Sequence, residues 1–125
     1  MIKILMVERH DLSEAYKQTF EIFSSIKKID VQIDIKNSLK GKSIPDGYDI
    51  YALHTSLIRP TKEIARLRRD NPSSYIMMRN TIQDTLRDKV NFPSEVISSA
   101  NEWYDYPSWK LFSSSLEQMS RTWEI

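Results

Sequence analysis

Four short stretches gather the side chains that could do chemistry: Glu8-Arg9-His10-Asp11, His54-Thr55-Ser56, Arg79-Asn80-Thr81 and Asp105-Tyr106-Pro107. Glu8, His10, Asp11 and His54 are all types that ligate divalent metals. A simpler reading competes: side chains leave a strand tip in alternate directions, and Asp11, with Glu14 three residues on, reads as an N-cap opening a helix. We adopt the simpler reading and expect no metal. His10 and His54 with Ser13 and Ser56 are also the types of a base and its nucleophile. No G-x-S-x-G turn presents either serine, so hydrolysis is not expected. Arg79 supplies a positive group, and a His10/His54/Arg79 edge taking an anionic substrate is the alternative functional reading.

Composition removes other chemistries. There is no cysteine, which excludes disulfides, thiol nucleophiles and Cys-ligated metals. Only Gly41 and Gly47 are glycines, too few for a P-loop or a dinucleotide-binding loop. We expect no cofactor. The 18 Lys and Arg nearly cancel the 17 Asp and Glu, so bulk charge points to neither nucleic acid nor an anionic membrane. The cluster Arg66, Arg68, Arg69 and Arg87 reads as a solvated helix face. With 40% hydrophobic and 28% charged residues, the 125-residue chain has the balance of one globular domain over 1–125. The start lacks the long apolar region of a signal peptide, and we expect a cytoplasmic protein.

The elements that must position the four stretches follow from hydrophobic periodicity. Ile2 to Val7 is an almost continuous apolar run, the mark of a strand buried on both faces. A helix from Asp11 carries Tyr16, Phe20 and Phe23 on one stripe, with Leu12 and Thr19 beside it. Val31 to Ile35 alternates with period two, as a half-buried or edge strand does. Lys36 to Gly47 is loop-like. Tyr48 to Leu53 is a third strand by its β-favouring content. Pro60 opens a helix that Asn71-Pro72 stops, and Tyr75 to Met78 is a fourth strand. A polar helix over Ile82 to Val90 follows, then an ambiguous stretch from Phe92 to Ala100. Trp103 to Tyr106 reads as a short fifth strand, and Ser108 to Trp123 as a last helix. Alternation of this kind implies an α/β fold, a doubly wound parallel sheet with helices on both faces. In such a sheet functional groups gather at the carboxyl ends of the strands, where the four reactive stretches lie.

KILMVERHD, YDIYALH and EIARLRRDNPSSYIMM, in that order and spacing, resemble a response-regulator receiver domain, and EWYDYPSW is a weaker match to its fifth strand. The resemblance implies a flavodoxin-like five-stranded sheet and a phosphate-accepting pocket at the strand ends. It also shows where this chain departs from the family. Glu8 fits the first magnesium-holding acid, but Arg9 takes the second position and Asp11 lies two residues further on. His54 stands in place of the phosphate-accepting aspartate, Arg79 near the usual Ser or Thr, and Tyr106 in place of the lysine before Pro107. Acyl-phosphate chemistry needs a carboxylate nucleophile and a hard cation on oxygen ligands. The pattern therefore resembles a pseudo-receiver, with Glu8 or Asp11 paired to Arg79 or Arg9 in place of magnesium. Its expected role is non-catalytic signalling through a protein partner.

Trp103, Tyr104, Tyr106 and Trp109, near Phe112 and Trp123, form the richest local composition shift. In receivers the surface around the fifth strand commonly mediates dimerisation, and aromatic residues are enriched at interface hot spots. We expect a protein partner there, with a homodimer as one form of it.

Overall fold

The computed structural model describes residues 1–58, 60–79 and 94–104. The helices expected over Ile82 to Val90 and Ser108 to Trp123 lie outside these residues, as do Arg87, Tyr106 and Trp109. The elements run β1 (Ile2–Val7), α1 (His10–Lys27), β2 (Val31–Lys36), β3 (Ile50–His54), a 3-10 turn (Thr55–Leu57), α2 (Pro60–Asp70), β4 (Tyr75–Arg79), α3 (Ser94–Ser99) and β5 (Glu102–Tyr104). The strands form one parallel sheet in the order β2-β1-β3-β4-β5, with the three-residue β5 at the edge beside β4. This is the α/β architecture expected from the alternation of elements.

Strand side chains alternate between two cores, one on each face. Ile4, Met6, Ile50, Ala52 and Met77 meet Tyr16 and Phe20 of α1 on one side. Leu5, Val7, Tyr51, Leu53, Ile76 and Met78 meet Ile64 and Leu67 of α2 on the other. Because β1, β3 and β4 are covered on both faces, every residue of β3 and β4 is buried and both read as apolar runs. β2 is the other edge strand and only partly buried, as its alternation foretold.

The boundaries shift for physical reasons. β3 spans Ile50–His54 instead of beginning at Tyr48; just before it the Asp49 carboxylate accepts the Lys3 amide at 2.8 Å and the Tyr48 hydroxyl meets Asp34 at 2.5 Å. α1 ends with Lys28 in the left-handed region (φ 56), where its amide and that of Ile29 close onto Ser25 and Ser24 carbonyls. That is a Schellman closure, with Ile29 packed against the α1-side core. The connection from Asn37 to Asp49 contains no helix and is anchored by buried Ile44. The ambiguous stretch before β5 contains α3, which packs beside α2.

Candidate functional site

β1 delivers Glu8 to the carboxyl edge of the sheet, and the turn after it is pinned from β2. The Glu8 amide donates to the Lys36 carbonyl at 3.2 Å, and Asn37 Nδ2 donates to the Glu8 carbonyl at 2.9 Å and to Ser13 Oγ at 3.3 Å. Arg9 is extended (φ −61, ψ 143) and its carbonyl accepts the Leu12 and Ser13 amides. The helix therefore opens at His10 with Arg9 as N-cap, which corrects the reading of Asp11 as the cap. Asp11 lies inside the first turn, where its charge still favours the helix N-terminus. It is exposed, and its carboxylate takes the Arg9 guanidinium at 3.1 Å.

β4 brings Arg79 back to the same edge, level with His54 of β3. Glu8 and Arg79 are 3% and 4% exposed, and Arg79 Nη1 lies 3.4 Å from Glu8 Oε1. The Arg79 guanidinium also stands 5.7 Å from the centre of the Tyr16 ring, within cation–π range. Its Nε is buried with no hydrogen-bond partner among the described residues. Burial pushes the Glu8 carboxyl above its ordinary value, although the Arg9 amide and the Arg79 charge both pull it down. A carboxylate whose burial outweighs its arginine is in a costly place.

His54 is 2% exposed at the end of β3. Its Nδ1 accepts the Ser56 amide at 3.1 Å and lies 2.5 Å from Ser56 Oγ. The imidazole thus caps the 3-10 turn that follows. Of the base and nucleophile types, His54 and Ser56 come together. Ser13 instead bonds the His10 carbonyl and Asn37, and His10 is exposed at the start of α1. Asn80, Thr81 and Tyr106 lie outside the described residues.

Two arginines expected on a solvated face do structural work that spacing alone did not reveal. Arg66 reaches Glu63 at 2.6 Å, Asp46 at 2.7 Å and the Ile44 carbonyl at 2.9 Å, clamping the β2–β3 connection to α2. Arg68 bonds the carbonyls of Ser74 and Ser99 and the Asn101 side chain, joining α2 to the starts of β4 and β5. Only Arg69 of the three is exposed. Near β5, Trp103 is half-buried against the α2-side core, and its indole N–H donates to the Ile97 carbonyl at 2.9 Å. Tyr104 lies in β5.

No protein-family model matches the chain, and no curated protein matches it. Solved structures do. A response regulator receiver domain protein from Clostridium thermocellum matches with a TM-score of 0.68 at 11% identity, covering 99% of this chain and 98% of that one. A response regulator in red light signaling of R. palustris matches with a TM-score of 0.55 at 14% identity, over 98% and 94% of the two chains. A chain described as adenylate cyclase from Rhodopirellula baltica matches with a TM-score of 0.53 at 15% identity, over the same shares. The fold is that of response-regulator receiver domains.

A receiver site implies magnesium, and the residues present do not fit it. The one carboxylate in the first acidic position is engaged by Arg79, Arg9 occupies the second, and Asp11 faces Arg9 instead of Glu8. Among the described residues no group of three or more His, Asp or Glu is arranged to hold a metal ion. Nor is any helix among them long and apolar enough to cross a membrane.

Proposed function

We propose that this chain is a pseudo-receiver, a cytoplasmic signalling module that keeps the receiver scaffold and acts by binding another protein, without catalysis and without an aspartyl phosphate. One observation carries the reading: the buried Glu8–Arg79 pair at the strand-end edge, beside a histidine where the phosphate-accepting carboxylate would stand. In phosphoryl transfer to a carboxylate, a divalent cation neutralises the incoming oxygens. Here the cation facing Glu8 is a guanidinium, which cannot exchange ligands or coordinate a phosphoryl oxygen and a carboxylate as a metal does. His54 offers no carboxylate to phosphorylate, and its Nδ1 is occupied by Ser56.

Signalling then depends on contact. Trp103, Tyr104, Tyr106 and Trp109 are the residues we assign to the partner surface, with self-association as its simplest form. Trp103 contributes through the face that its packing leaves open.

The test is incubation with a small-molecule phosphodonor and magnesium, followed by intact-mass measurement. The expected result is an unchanged mass. A phosphoryl group added in a magnesium-dependent manner overturns the reading. Light scattering of wild type against Trp109→Ala then tests self-association, which the substitution is expected to weaken.

A further inference from the structure

Beside the degenerate pocket, on the β2 side, a cleft of about 300 Å³ opens between the β2–β3 connection and the 3-10 turn with the first turn of α2. Ser38, Lys40 and Lys42 line one wall, and Ser56, Lys62 and Glu63 the other. We propose that this cleft binds a small phosphate-bearing molecule.

Charge is the first argument. All three lysines are exposed, and none makes an ion pair among the described residues. Glu63 is the one carboxylate in the lining, and it is already committed. It takes Arg66 at 2.6 Å. The cleft is left with uncompensated positive charge, and lysine meets phosphate as a point charge. It lies outside the carboxyl ends of β2 and β3, where open α/β sheets place ligands. The first turn of α2 adds the positive end of a helix dipole on the Lys62 side.

Backbone is the second argument. Leu39 to Lys42 turns with φ of 52 at Lys40 and 76 at Gly41, closed by the Lys42 amide on the Leu39 carbonyl at 2.9 Å. Positive φ at both central residues marks a type I′ turn, whose first central position favours glycine, asparagine or aspartate. A lysine held there is disfavoured. The Lys40 amide is fastened to Ser38 Oγ at 3.1 Å, and the turn sets Lys40 and Lys42 both on the cleft. A strained lysine beside two more around a polar cleft has a purpose if the three share an anion. The volume is at the lower end of the ~300–1,000 Å³ of small-molecule sites. It suits a ligand between pyrophosphate and a nucleoside monophosphate in size.

The test is calorimetric titration of the full chain with pyrophosphate and adenosine monophosphate, with adenosine and sulfate as comparison arms. Saturable binding of the phosphate compounds, with adenosine and sulfate much weaker, is expected. Lys42→Ala/Lys62→Ala should weaken it about tenfold or more, by removal of two charged contacts. Lys40→Gly, which relieves the left-handed backbone, should melt higher than wild type and still bind more weakly. Absence of saturable binding overturns the proposal. So does binding that the lysine variants leave unchanged, or sulfate or adenosine binding as tightly as pyrophosphate. The proposal does not rest on the absence of aspartyl phosphorylation: calorimetry uses no phosphodonor, so either reading can fail while the other stands.

Discussion

Arg66 and Arg79 each meet a glutamate, one where α2 grips the β2–β3 connection, the other at the carboxyl edge of the sheet. Arg66 is 22% exposed, and Glu63, Asp46 and the Ile44 carbonyl all bond it at 2.9 Å or less. Glu63 would be raised by its burial, but Arg66 and neighbouring donors bring its carboxyl below the ordinary value. Arg79 is buried, meets one carboxylate at 3.4 Å, and has an Nε with no hydrogen-bond partner among the described residues. Glu8, despite that arginine, stays above the ordinary value because burial dominates. The first arrangement behaves as a clamp of the fold. The second is poorly repaid in stability, as is common where residues are kept for a site.

Substitutions can break or sharpen that contrast. The largest effect is expected from Arg79→Met, which strands the buried Glu8 charge and should cost about 3–5 kcal/mol in urea unfolding at neutral pH. Glu8→Leu/Arg79→Met removes both charges together and should fold within about 1 kcal/mol of wild type, or more stably. A double variant as unstable as the single one would make the pair a stability device after all. Arg66→Met should cost about 2 kcal/mol by loss of charge-assisted bonds. Adding Glu63→Gln should not restore it, because Asp46 and the Ile44 carbonyl remain unserved.

The pH dependence of stability should separate the two glutamates in sign. Glu8 is raised, so its favourable contribution is full below the ordinary glutamate value and is lost as pH rises through the raised one. Glu63 is lowered, so its contribution is full above the ordinary value and is lost as pH falls through the depressed one. Urea midpoints followed from acid to neutral pH should show Glu8→Gln flattening the upper limb and Glu63→Gln the acid limb. The same limb flattened by both would dissolve the distinction. The smallest effect is expected from Tyr48→Phe, which removes the bond to Asp34 and should cost about 0.5–1 kcal/mol. In wild type that bond holds the Tyr48 hydroxyl up at about 12, so its contribution is lost only as pH rises through that value.

Much of this fold was legible in the residues because burial on both faces writes itself as apolar runs. Ile2 to Val7 and Tyr75 to Met78 lie in strands as read, and the alternation of Val31 to Ile35 marks an edge strand. Glu8 and His54 stand on the strand-end edge for the same reason. What periodicity could not carry is contact across the chain. Glu8 and Arg79 are 71 positions apart, and nothing local says that this partner wins over Arg9. Asp11 looked like a cap because its type and the glutamate after it fit one. The extended Arg9 takes that place, since Asn37 and Lys36 fix the preceding turn from β2. Arg66 and Arg68 looked solvated by helical position, and they bond loops whose approach is set by the sheet order.

The central claim is that a guanidinium occupies the charge position a receiver gives to magnesium. Titration of magnesium into metal-free protein, read as melting temperature at neutral pH, tests it most directly. No saturable shift is expected up to millimolar magnesium. A saturable rise that fits one ion per chain, and that Glu8→Gln abolishes, would contradict it.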